Sequence, residues 1–169
     1  MTVWGQFNCS DCAPDEMYRC VNGGGLISKL TSGTNSTLLP MPAAAATAQL
    51  VFIEGTVTVD TDYAFASGSD LIFAPGSKLV VQAYKKLTLN GAVLRGCNAM
   101  WEGIDANYGS TLEIKGGTIK DALIAAELLF SDPIPNFFTS FGSVGCTYTG
   151  NGEAISMRST SDWSGYPAF

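Results

Sequence analysis

The sequence predicts an all-β chain: a right-handed parallel β-helix, a short solenoid of about four to five coils, with an irregular Cys-rich N-terminal cap. Three observations carry this expectation. Charged residues make up 14% of the 169 residues, well below the roughly 25% of ordinary globular domains. From Val51 onward, brief aliphatic runs (VTV, LIF, LVV, LTL, LEI) each give way within a few residues to Gly, Asn, Asp or Pro-Gly, the texture of short strands separated by turns. Those runs also repeat at a nearly fixed interval, and a period of roughly 20–50 residues marks a solenoid rather than a sandwich.

Taken in order, residues 1–50 read as an N-terminal cap or leader. NCSDCAPDEMYRC is polar and Cys-rich, VNGGG is a flexible turn, and LPMPAAAATAQ joins prolines to an alanine run. That run is long enough for a helical turn after Pro42 but too short to be stable alone. Residues 51–169 read as the β-helix. A shift of 22 residues lays Val57 on Leu79, Phe65 on Leu87 and Ile72 on Leu94; a further shift of 25 lays Leu79 on Ile104, Leu87 on Leu112 and Leu94 on Ile119. These nine residues are the expected coil core. Turn residues follow the same offsets, with Gly68, Asn90 and Lys115 in one column and Ser69, Gly91 and Gly116 in the next, small or turn-tolerant types where the chain must bend. The extra residues of the second offset fall between strands, where FAPGSK at 73–78 corresponds to RGCNAMWEG at 95–103, and solenoids absorb insertions there. An antiparallel sandwich also gives short strands and frequent turns, but it does not call for matched turn columns.

Past Thr118, IKDALIAAELLF fits either an amphipathic helix or a turn at Asp121–Ala122 followed by a strand, and the strand is the preferred reading. SDPIPNFF, with two prolines, reads as a loop excursion. A further coil is expected near Thr147–Met157.

The stretch GSKLVVQAYKKLTLNGAVLRGCNAMWEGI, in which a Pro-Gly turn, two aliphatic strands, a Gly-Cys pair and a Trp-x-Gly-Ile element follow in order, resembles the β-helix segments of large Bacteroidota surface and secreted proteins, many exported by the type nine secretion system. The resemblance covers about residues 51–126. It implies a right-handed parallel β-helix of the pectate-lyase-like kind, an exported location and no defined activity. Residues 1–50 fall outside it, as does the usual C-terminal sorting domain, which is the pattern of a fragment or an unusually short member.

Composition limits the chemistry. A net charge of −6 and a pI near 4.4, with nine scattered basic residues, oppose a nucleic-acid partner, which needs a clustered Lys/Arg surface. No apolar run approaches the ~18 residues of a membrane-spanning helix, so no membrane insertion is expected. With no histidine in the chain, Ser-His-Asp and Cys-His arrangements are excluded. The Gly23–Gly25 cluster does not join a strand to a helix bearing a lysine, so it does not cradle phosphate.

The carboxylates Asp60, Asp62, Asp70, Glu102, Asp105 and Glu113 merit attention because many β-helix proteins act on acidic polysaccharides, and a glycosidase needs two carboxyls facing one groove. Turn aspartates commonly bond their own backbone, and Lys78, Lys85, Lys86 and Arg95 do not share a coil position as a lyase would require. No catalytic residue, cofactor or metal is therefore assigned.

Cys9, Cys12, Cys20, Cys97 and Cys146 are disulfide candidates in an oxidising setting, with a zinc site from three or four of them as the competing arrangement. Trp101, Tyr84 and Tyr108 are carbohydrate-contact candidates, with Trp163 a further aromatic, and Trp101 also suits packing over a coil corner. The resulting expectation is a non-enzymatic extracellular or cell-surface structural or adhesive module. It would associate with itself end to end into fibres or continue into further coils of a longer protein, and would touch surface polysaccharide. A carbohydrate-binding or polysaccharide-degrading β-helix, hydrolase or lyase, is the alternative, and a trimeric viral tail-spike segment a third.

Overall fold

The computed structural model describes residues 27–30, 32–34, 48–130 and 139–159. Cys9, Cys12, Cys20, the alanine run up to residue 47, the SDPIPNFF excursion and Trp163 lie outside these residues.

Short β-branched runs flanked by turn residues do form strands, and the strands wind into coils. Each complete coil contains three. The first is β3 (Leu50–Ile53), β4 (Thr56–Val59) and β5 (Tyr63–Phe65), and the second is β6 (Asp70–Phe73), β7 (Lys78–Val81) and β8 (Lys86–Asn90). The third is β9 (Val93–Gly96), β10 (Trp101–Ala106) and β11 (Thr111–Lys115), and the fourth is β12 (Thr118–Lys120), β13 (Ala122–Phe130) and β14 (Ser140–Val144). Partial coils flank them: β1 (Ile27–Leu30) with β2 (Gly33–Thr34) before, and β15 (Thr147–Thr149) with β16 (Glu153–Ser159) after. Strand pairing thus reaches back into the segment that reads as leader from sequence.

The strands stack into three sheets. The first runs β1-β3-β6-β9-β12-β15, the second β2-β4-β7-β10-β13-β16 and the third β5-β8-β11-β14. Every pairing among the described residues is parallel, which excludes the antiparallel sandwich and establishes a parallel β-solenoid of about four turns. IKDALIAAELLF is strand, broken at Asp121, whose φ of 59° lies in a left-handed region that aspartate tolerates better than most residues.

A lone coil cannot cover its inward aliphatics, whereas stacked coils bury them against one another in continuous columns. Val51–Leu71–Leu94–Ile119 in the first sheet, Val57–Leu79–Ile104–Ala126 in the second and Tyr63–Leu87–Leu112 in the third lie in register. None of these residues is more than 3% exposed. The Tyr63 hydroxyl reaches Gln49 Oε1 at 3.5 Å, and burial pushes its pKa up while that bond pulls it down, with a net rise.

Two of the six expected core matches change. The 25-residue shift holds in all three sheets, but the 22-residue shift holds only in the second. Phe65 pairs with Leu89 rather than Leu87, and Ile72 pairs with Arg95 rather than Leu94. The reason is corner length. Residues 82–85 make a corner one residue longer than 60–62 and their flanking strands reach the turn differently, so the third sheet steps by 24 residues; the following corner is shorter and returns the first sheet to 23. Ile72 consequently faces outward, in a small second cluster with Phe52 and Cys97. In the turn columns, Asn90 and Lys115 pair as expected, whereas the Gly68 amide donates to the carbonyl of Gly91 at 3.1 Å.

Candidate functional site

A closed solenoid uses its interior for packing, so sites for partners are confined to the outer faces, the corners and the ends. On the outer faces Asp70, Glu102, Asp105 and Glu113 are engaged in ion pairs. Arg95 grips Asp70 with Nε at 3.0 and 3.3 Å and Nη2 at 3.0 Å. Lys78 Nζ lies 3.1 Å from Glu102 and 2.9 Å from Asp105. Burial opposes its charge, but the hydrogen bonds and charges of Asp105 and Glu102 outweigh burial and raise its pKa. Glu113 lies between Lys86 at 3.0 Å and Lys115 at 3.3 Å, and these hydrogen bonds hold its carboxyl below the usual range. Asp62 accepts the Lys86 amide at 2.9 Å, a turn-aspartate role. A carboxylate that sequence reasoning missed is Glu127, in register with Asp105 on the next coil and 9% exposed. Arg158 Nε approaches its Oε1 to 3.3 Å without hydrogen-bond geometry. Among the described residues, no group of three His, Cys, Asp or Glu side chains is placed to hold a metal ion.

Trp101 leaves the list of sugar contacts. It is fully buried, stacks on Phe73 with ring centroids 3.8 Å apart and planes at 14°, and donates from Nε1 to the Lys120 carbonyl at 3.0 Å. The next position in the Phe73 column is Gly96, where a side chain would run into the Ala99 carbonyl and Asp121. Cys146 is a free thiol, half-buried, with Sγ 3.1 Å from the Ile114 carbonyl, so it does not serve as a disulfide partner. Cys97 is 7% exposed and is not a free thiol. At the corner between the first and second sheets, a cavity of about 390 Å³ is bounded by Arg95, Asn98, Met100, Lys120 and Asp121. Its cations and its carboxylate, together with Asp70 on Arg95, leave no net charge of either sign.

The corners follow one design. Ala66-Ser67-Gly68-Ser69, Ala74-Pro75-Gly76-Ser77 and Asn107-Tyr108-Gly109-Ser110 are four-residue turns in which the last amide donates to the first carbonyl at 3.2, 3.0 and 3.0 Å. The third residue is a glycine with φ of 83°, 71° or 70°, and the fourth is a fully buried serine. Two of those serines tie coils together: Ser69 Oγ accepts the Gln49 amide and Ser77 Oγ the Gly55 amide, each at 3.1 Å. Gln82-Ala83-Tyr84-Lys85 makes the same turn, closed at 3.0 Å, yet puts Tyr84 in the glycine position at φ 62°. A left-handed conformation costs a non-glycine residue about 1–2 kcal/mol.

The neighbouring coil is fitted to that tyrosine. Gly109 occupies the equivalent position one coil on, and a Cβ there would come within 2.8 and 2.9 Å of the Tyr84 ring. Tyr108, beside it, meets Tyr84 edge to face, with centroids 5.8 Å apart and planes at 89°. Both remain open, at 57% and 39% exposure. Two of the three aromatic candidates are therefore brought together and the third is not.

The C-terminal end differs from the sides. The inner column Val57–Leu79–Ile104–Ala126 continues to Ile155, and Val59–Val81–Ala106–Leu128 to Met157. Leu128 is 4% exposed, but Ile155 is 37% and Met157 73% exposed. Among the described residues, strands β14, β15 and β16 each close a sheet without a further neighbour.

In comparisons with protein families, curated proteins and solved structures, nothing matches the chain.

Proposed function

We propose that this protein is a non-enzymatic, extracellular structural or adhesive β-solenoid module whose C-terminal end stacks on a second copy, building fibres coil upon coil. The observation that carries the reading is the abrupt change along one inner column: Leu128 is buried under β16, while Met157, the next residue of that column, is 73% exposed. Among the described residues this end presents backbone groups of three strands without a strand partner and an apolar centre, and such edges pair with another chain unless covered. A head-to-tail contact between identical solenoids does not close on itself, so it propagates.

The exported setting is supported by the resemblance of residues 51–126 to Bacteroidota surface-protein β-helix segments and by the five cysteines of a 169-residue chain. A disulfide at Cys97 fits an oxidising compartment. In the same reading, further coils of a longer protein would occupy the open end in place of a second copy.

Size-exclusion chromatography with light scattering across a concentration series, followed by negative-stain imaging, tests the assembly. The expected result is concentration-dependent growth into rods, abolished by Met157→Lys together with Ile155→Lys. A strictly monomeric wild-type protein at every concentration overturns self-assembly.

A further inference from the structure

We propose that the Tyr84–Tyr108 corner is a binding site for a neutral pyranose polymer. The proposal names a ligand class for the adhesive part of the proposed function and rests on that part alone; it stands whether or not copies stack. Three independent features converge on this corner. Tyr84 takes the left-handed turn position that Gly109 fills at the same corner of the next coil and that Gly68 and Gly76 fill in the like-shaped turns of the other corners, so the chain keeps an aromatic ring where a glycine would relieve the backbone. Retained strain of this kind clusters at functional sites. Gly109, one coil on, leaves the space that a Cβ would take from the Tyr84 ring. Tyr108 then stands at right angles to that ring, so the two form a two-walled notch on a rigid scaffold.

A pyranose ring has an apolar face of C–H groups and an equatorial rim of hydroxyls. One wall of the notch can take the face, and the other can meet an edge. Gln82, Lys85 and Asn107 belong to the same two turns and supply donors and acceptors for hydroxyls. The phenolic rings themselves join an apolar body to a polar tip, the combination that suits a surface both stacked upon and wet. The chain's net charge of −6 disfavours a polyanion relative to a neutral polymer.

Isothermal titration of the full chain with hexamers of β-1,4-linked glucose, β-1,4-linked N-acetylglucosamine and α-1,4-linked glucose, with polygalacturonate as the anionic comparison, tests this. At least one neutral hexamer is expected to bind. Tyr84→Gly and Tyr108→Ala should each weaken that binding by about fivefold or more, the scale of an aromatic contact, and Tyr84→Phe should stay within about twofold of wild type. Tyr84→Gly should also melt at or above the wild-type temperature, because it removes the strained position. Binding of polygalacturonate alone, or of nothing, overturns the proposal. So does unchanged binding in both Tyr84→Gly and Tyr108→Ala, or a fall of more than about 3 °C in the melting temperature of Tyr84→Gly, since about 1 kcal/mol shifts a domain of this size by that much and Tyr84 would then be kept for stability.

Discussion

Leu79→Ala probes the stacked interior most directly. Leu79 is 2% exposed and lies at the centre of a column, paired with Val57 on one coil and Ile104 on the next. Truncation removes three carbon groups at ~0.8 kcal/mol each and leaves a void, because stacked coils above and below hold their spacing and cannot collapse into it. About 3 kcal/mol of destabilisation follows, within the range for buried leucines. At about 2–4 °C per kcal/mol for a domain of this size, the melting temperature should fall by roughly 6–12 °C. Val80 supplies the comparison: it is the next residue on β7, points out of the coil and is half-buried, so Val80→Ala should cost less than about 1 kcal/mol. Thermal melts followed by circular dichroism, with urea titrations to confirm the ranking, measure both. Equal losses in the two variants, or less than about 1 kcal/mol for Leu79→Ala, would refute the inward column.

A Cβ at Gly103 would meet the Ile124 carbonyl oxygen at 1.6 Å, with φ at 117°, in the bulge where the β10–β13 register shifts. Gly103→Ala should therefore cost about 3 kcal/mol or prevent folding, whereas Gly76→Ala, whose Cβ meets nothing within 4 Å, should cost only the ~1–2 kcal/mol of its positive φ; soluble yield and melting temperature separate them. At acid pH, the Glu113 carboxyl, lowered by its bonds to Lys86 and Lys115, contributes stability that is present above its ordinary 4.5 and lost as pH falls through its lower folded value. Glu113→Gln should flatten the acid limb of a plot of melting temperature against pH. At alkaline pH the sign reverses for Lys78, whose raised pKa gives stability fully present below 10.5 and lost as pH climbs through the higher folded value; Lys78→Met should flatten that limb, and an unchanged limb would count against the Asp105–Lys78–Glu102 pairing.

Parallel coils were legible in the sequence because their core is a repeated pattern of residue type. Val57, Leu79 and Ile104 recur at offsets that alternation alone reveals, and the 25-residue step is right from β7 to β10, from β8 to β11 and from β9 to β12. The errors at Phe65 and Ile72 have one origin. A uniform shift assumes that all corners change together, whereas in this chain residues enter at one corner and leave at the next, and a change of one residue turns a side chain to the opposite face of a strand. Ile72 was apolar enough to pass as core because it is buried, on the outside, beside Phe52 and Cys97. Of the aromatic candidates, Trp101 could be read as corner packing from its place before Gly103 and Ile104, and it is fully buried; its partner Phe73, one coil back and stacked on the indole, was not legible. Glu127 was invisible for a similar reason, since its neighbour Asp105 is one full coil away along the chain.

Stacking also constrains residue size, which alternation does not report. Coils of one cross-section can sit on one another only if each layer fills about the same area at close-packed density. Trp101 is the largest of the fully buried side chains, and the residue directly in register with it on the next coil is small, Ala122. Earlier coils place Val, Leu and Phe at comparable inner sites, with Ile53 and Phe73 in the column that ends at Gly96. The alanines of IKDALIAAELLF, which give that stretch its helical look, are buried strand residues here, Ala122 in register with Trp101 and Ala126 with Ile104. Helix propensity favours alanine, but here parallel pairing with the strands on either side holds the stretch as strand, and tertiary packing decides the secondary structure.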